Sequence, residues 1–145
     1  MESGSTELLY GIWGSSPTDV FAVGNDGSDG IILHYDGSVW STMAGDTDEY
    51  LLGVWGSSSS DVFAVGWNGT ILHYDGYTWT AMSSGTTAEL HDVWGSSSSD
   101  VFAVGDGGVI LRYDGGGWRS TTSGTTEKLR DVGSSAPGGV FAVGN

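Results

Sequence analysis

The chain has 145 residues and a formal net charge of −14, from 18 acidic and 4 basic residues. This much negative charge repels phosphates, so nucleic acid and anionic membranes are poor partners, and no apolar run reaches the ~20 residues of a membrane span. Cysteine is absent, which removes disulfides and thiolate metal sites.

Met1 to Glu7 has neither a basic region nor an apolar run, so it is not read as a signal peptide. An extracellular or cell-surface parent protein fits the acidic balance, as does plain solubility. The first unit spans residues 8–47. Its loop Asn25-Asp26-Gly27-Ser28-Asp29-Gly30 is three residues longer than the counterparts Trp67-Asn68-Gly69 and Asp106-Gly107-Gly108. Oxygens of Asn25, Asp26 and Asp29, closely spaced on a glycine-rich loop, suit Ca2+, the one cofactor these residues suggest. The loop lacks the glutamate of an EF-hand, and turn chemistry alone also accounts for it.

The second unit spans residues 50–87. Trp67 lies in its loop, outside the repeated pattern, and neither counterpart is aromatic. A tryptophan there suits stacking on a sugar or contact with a protein; local packing against a neighbouring unit is the alternative. Asn68 beside it and Asp106 in the next unit complete the candidate ligand-binding set.

The third unit spans residues 88–126. Leu90 to Trp94 reads as a strand, Gly95 to Ser99 as a polar turn, and Val101 to Gly105 as a strand covered on both faces. Asp106 to Gly108 is a turn, Val109 to Tyr113 a third strand, Asp114-Gly115 a tight turn, and Trp118 to Thr122 a fourth strand. The half-repeat 127–145 holds only two strands, Leu129 to Val132 and Val140 to Val143. There Gly133 stands in the place of Trp13, Trp55 and Trp94, Gly139 in the place of Asp19, Asp61 and Asp100, and Pro137 enters the turn.

The phrase Val-Phe-Ala-Val-Gly binds these units together. It places Phe21, Phe63, Phe102 and Phe141 at spacings of 42, 39 and 39 residues. Four short strands repeated at about 40 residues predict an all-β fold, a β-propeller of four-stranded antiparallel blades. Residues 1–145 then form a single partial propeller of about 3.5 blades. No sustained 3.6-residue period supports helix, a β-helix has shorter coils, and a β-sandwich needs no near-identical copies. Closed propellers need at least about four blades, so the expectation is a homo-oligomer, a dimer first, that completes its ring by self-association.

Gly69-Thr70-Ile71-Leu72-His73-Tyr74-Asp75-Gly76-Tyr77-Thr78-Trp79 resembles the strand, Asp-Gly turn and tryptophan of Asp-box or BNR-type propellers. Leu51-Leu52-Gly53-Val54-Trp55 and Ala64-Val65-Gly66 are similar to blades of the photosystem II assembly-factor type. The chain shortens the Asp-box by one residue, with Asp-Gly-x-x-Trp. Its nearest resemblance is to the Val-Phe-Ala-Val-Gly propeller repeats of large bacterial proteins. The resemblance implies a fold over almost the whole chain and no particular activity. Sialidases share the Asp-box but gather arginines around the substrate carboxylate; here only Arg112, Arg119 and Arg130 exist, on different strands.

No catalytic residue is expected. Asp36, Asp75 and Asp114 recur as turn residues, and Asp19, Asp61 and Asp100 recur at the start of the second strand, where they are expected to bond amides of the serine turn. Glycoside hydrolysis needs two unequal carboxylates across one substrate, not one carboxylate per repeat. His34, His73 and Arg112 align as a polar ladder, and His91 beside Asp92 has no partner serine or cysteine at a known spacing. These features predict a non-catalytic binding or scaffolding module for a protein or glycan. A glycan-binding lectin is the alternative, and a glycosidase-like fragment stands behind it.

Overall fold

A computed structural model of the chain describes residues 8–45, 47–136 and 139–144; the expectation for Pro137 lies outside them. Among the described residues, β1 (Leu8–Ser16), β2 (Asp19–Asn25), β3 (Gly30–Tyr35) and β4 (Trp40–Met43) form one antiparallel sheet in chain order. The second sheet holds β5 (Leu51–Ser58), β6 (Asp61–Gly66), β7 (Ile71–Tyr74) and β8 (Trp79–Met82). The third holds β9 (Leu90–Ser97), β10 (Asp100–Gly105), β11 (Ile110–Tyr113) and β12 (Trp118–Thr121). β13 (Leu129–Ala136) and β14 (Gly139–Gly144) form a two-stranded sheet. The unit expected from the repeat is therefore the unit that forms. No helix among the described residues is long and apolar enough to cross a membrane.

The serines behave differently from the expected polar turn. β9 runs on to Ser97, which pairs with Asp100, so the reversal shrinks to Ser98 and Ser99. The loop Trp67–Gly69 is one tight 3-10 turn, and so is Asp106–Gly108.

Successive sheets stack face to face. Phe21, Val23 and Ile32 of the first blade share a core with Leu51, Val54, Val62, Leu72 and Trp79 of the second. Phe63, Val65 and Ile71 meet Leu90, Val93, Val101 and Leu111 of the third in the same way. Val62 through Val65 are wholly buried, because one face of β6 packs backward and the other forward. Phe21 meets Trp79 edge-on at 6.0 Å, and Phe63 meets Trp118 edge-on at 5.7 Å. Each such phenylalanine contributes about 2–3 kcal/mol by burial alone. The Trp-Gly pair couples blades as well. A Cβ on Gly56 would lie 2.8 Å from the Trp13 ring, and one on Gly95 would lie 2.7 Å from the Trp55 ring. Each indole thus reaches the glycine of the next blade with its six-membered ring.

Candidate functional site

Asn25, Trp67 and Asp106 occupy one register position, directly after the glycine of the repeated phrase. Backbone bonds fix that position at one end of the blades. Trp67 N donates to Tyr50 O at 2.9 Å, and Asp106 N donates to Glu89 O at 2.9 Å. The loop between the second and third strands is thereby tied to the segment that enters each blade, so both loops share one end of the molecule.

The side chains at this end differ from blade to blade. Trp67 stacks on Tyr50, with centroids 4.3 Å apart and planes 30° from parallel, and stays 41% exposed. Local packing and an exposed face thus coexist in one side chain. Asn68 takes the left-handed conformation (φ 56°), which asparagine tolerates well, and its Nδ2 donates to Glu49 Oε1 at 3.3 Å. In the third blade His91 Nε2 lies 2.7 Å from Asp106 Oδ1, and Lys128 Nζ lies 3.6 Å from the same oxygen. The His91 hydrogen bond, with the charges of His91 and Lys128, holds the Asp106 carboxyl below the usual carboxylate range. Sequence reading left His91 without a partner. The two residues meet because β9 and β10 are adjacent and their register shifts between Val104 and Gly105.

The longer loop of the first blade spends its oxygens on itself. Asn25 is buried, and its Oδ1 accepts from Gly27 N at 2.8 Å. Asp26 Oδ1 accepts from Ser28 N at 2.9 Å and Asp29 N at 2.8 Å. The Asp29 amide first, then the Ser28 amide, hold the Asp26 carboxyl low. Among the described residues no group of three or more His, Asp or Glu side chains is placed to hold a metal ion.

The recurrent polar residues form a ladder at the opposite end of the second strands. Ser15 Oγ donates to Asp19 Oδ2 and Ser57 Oγ to Asp61 Oδ2. His34 Nε2 lies 2.6 Å from Asp19 Oδ1, and His73 Nε2 lies 2.6 Å from Asp61 Oδ1. The third copy keeps the pattern with Ser96, Asp100 and Arg112, whose Nε donates at 2.9 Å. The carboxylates thus take side-chain hydroxyls rather than the expected serine-turn amides, because the serines are themselves part of the strand. The order matters chemically. Asp stands between Ser and His, on separate oxygens, so the imidazole does not reach the hydroxyl and cannot activate it as a nucleophile. Asp61→Ala is expected to cost about 1–2 kcal/mol by stranding His73 and Ser57, read from urea denaturation against wild type.

Asp36 and Asp75 cap their turns as expected: Asp75 Oδ1 accepts from Tyr77 N and Thr78 N, both at 2.9 Å. Arg112 and Arg119 stand opposite each other on β11 and β12, and each is paired with a carboxylate, Asp100 and Asp114 respectively. Two open clefts of about 680 and 560 Å³ are lined mainly by glycine, serine and threonine, with Val109, Ile110 and Leu111 in the first and Asn68 in the second. Neither presents a carboxylate, imidazole or amine for acid–base chemistry.

No protein-family model matches the chain, and no curated protein matches it significantly. Solved structures do match in shape. YCF48 from Cyanidioschyzon merolae superimposes with a TM-score of 0.75 at 19% identity, covering 97% of this chain and 51% of that one. YCF48 bound to D1 peptide superimposes with a TM-score of 0.75 at 17% identity, covering 99% of this chain and 49% of that one. The fold is that of a β-propeller. The chain spans about half the length of either neighbour.

Proposed function

We propose that this chain is a non-catalytic β-propeller module that binds a protein partner at the loop end of its blades and associates with copies of itself. One observation carries the binding role. Residues that hold blades together repeat almost without change, whereas the position after the phrase glycine runs Asn25, Trp67, Asp106. Packing requires sameness, and a surface that recognises an asymmetric partner requires difference. Trp67 on Tyr50 offers a flat apolar plate, and His91, Asp106 and Lys128 offer charge in the next blade. Aromatic plates flanked by polar groups are where binding energy concentrates in protein interfaces. The neighbour described as bound to D1 peptide is a precedent for peptide capture by a propeller of this shape. The same exposed indole also suits a lectin.

Parallel peptide and glycan arrays separate the readings. Peptide hits should weaken about 10-fold or more with Trp67→Ala, while the variant stays folded with the wild-type β-sheet circular dichroism spectrum. Glycan hits that vanish with Trp67→Ala would instead establish the lectin. Peptide hits indifferent to Trp67→Ala would place the site elsewhere.

A further inference from the structure

The two end faces of the blade stack carry the residues that are buried wherever one blade meets the next. Val54 and Phe21 face each other in the first inter-blade core, with exposures of 7% and 1%. Their register equivalents at the ends, Ile12 and Phe141, are exposed by 69% and 60%. Leu9, the equivalent of Leu51, and Val143, the equivalent of Val23, are exposed beside them. Each end therefore displays half of an interface whose other half is displayed at the opposite end.

The departures from the repeat also match. At the Ile12 position the second, third and fourth units carry Val54, Val93 and Val132, so the leading face has the larger side chain. At the trailing face Gly133 replaces the tryptophan that in the first blade stacks against Phe21. Gly133 has no atom of another residue near where a side chain would go, and it opens a cleft of about 260 Å³ bounded by Asp131, Val132, Ser134, Phe141 and Val143. The leading face thus carries one larger side chain, and the trailing face leaves Phe141 and Val143 uncovered beside an open cleft.

We propose that copies of this chain join head to tail, with Leu9 and Ile12 of one copy seated on Phe141 and Val143 of the next. This rests on the self-association proposed above and names its occupant, a second copy, by continuity with the blade interface inside the chain. The contact is heterologous: the two partners use different surfaces, so it propagates and closes only when the rotation completes a ring.

Mixing two crippled variants tests this pairing. Ile12→Asp spoils only the leading face, and Phe141→Asp spoils only the trailing face. Both residues are exposed in the single chain, so each variant should still fold, with the wild-type β-sheet circular dichroism spectrum. Light scattering after size exclusion should show the wild type above monomer mass, and each variant alone should dissociate at a concentration about 50-fold or more higher. An equimolar mixture should regain a one-to-one pair through the intact Ile12 and the intact Phe141. If either variant alone keeps the wild-type mass, or the mixture regains nothing, the head-to-tail pairing is wrong although self-association stands. A wild type that stays monomeric at about 100 μM, a concentration typical of weak oligomers, overturns both readings.

Discussion

Replacing Gly66 by alanine should cost about 3 kcal/mol or more. The cause is space, not conformation, because Gly66 has an extended backbone (φ −171°) that other residues adopt. The register between β5 and β6 shifts between Leu51 and Gly53, so Leu52 is an extra residue. That bulge brings the Tyr50 carbonyl over Gly66 to accept the Trp67 amide at 2.9 Å. A Cβ on Gly66 would lie 1.9 Å from that oxygen. The collision is with backbone, so no side chain can move aside. Either the first two strands of the blade separate or the Trp67 loop detaches, and the stack of Trp67 on Tyr50 is lost with it. The same collision awaits at Gly24, Gly105 and Gly144, at 1.9, 2.1 and 1.9 Å from the carbonyls of Leu8, Glu89 and Lys128. The last letter of the phrase is thus a clearance for a carbonyl. Gly117→Ala is the control. It has nothing within 4 Å and no positive φ, so it should stay within about 0.5 kcal/mol of wild type. Urea unfolding followed by tryptophan fluorescence measures both. A Gly66→Ala protein within about 1 kcal/mol of wild type would refute the account.

Raising the pH from 4 to 8 should destabilise the protein through Asp92, and Asp92→Asn should remove that loss. Asp92 and Asp131 hold the register position that Gly11 and Gly53 hold in the first two blades. The inner strands lie close there: a Cβ on Gly53 would be 3.0 Å from Asp92 Cα. Asp92 Oδ2 accepts from Val132 N at 3.0 Å, which ties the third blade to the fourth. Burial, followed by the hydrogen bond with Asp131, pushes the Asp92 carboxyl up to about 7, against an ordinary value of 3.8. The folded state therefore keeps a proton that the unfolded chain releases above pH 3.8. Stability is full below that value, falls as pH rises, and levels off above about 7. Solvent screening at this partly exposed pair limits the loss to about 1–2 kcal/mol. Asp100 and Asp106 are held low by their partners and act oppositely, losing stability as pH falls below the ordinary carboxylate range. The two windows do not overlap. An asparagine at 92 can still accept from Val132 N and can donate to the Asp131 carboxylate. Asp92→Asn should thus exceed wild type at pH 8 by about 1–2 kcal/mol and lose the advantage at pH 4. A difference that is the same at both pH values would refute the assignment.

Much of this molecule was legible in its residues because each blade must cover the next. The period of the phenylalanines, the apolar second strands and the Asp-Gly turns follow from burial and turn chemistry, which act over a few residues. Asp75 bonding Tyr77 and Thr78 is such a local event, visible in the spacing alone. Contacts across strands were not legible in the same way. The Asp61–His73 pair joins a residue expected to bond serine-turn amides to one expected on a separate polar ladder. The Asp106–His91 pair depends on a register shift that no local pattern announces. The loop of Asn25, Asp26 and Asp29 has the composition of a cation loop, yet its amides take up oxygens that a ligand set would need.

Sequence alone therefore determined the number, order and type of strands, since hydrophobic repeats and turn residues need only their neighbours to act. Only the tertiary structure decided which varied residues share one end, and why the repeated glycine is there. Those are properties of distance between strands: a 1.9 Å clearance over Gly66, a tryptophan stacked on Tyr50, two aspartates meeting between inner strands. A one-dimensional pattern carries none of these distances, because each is set by how residues of different strands come to face one another in space.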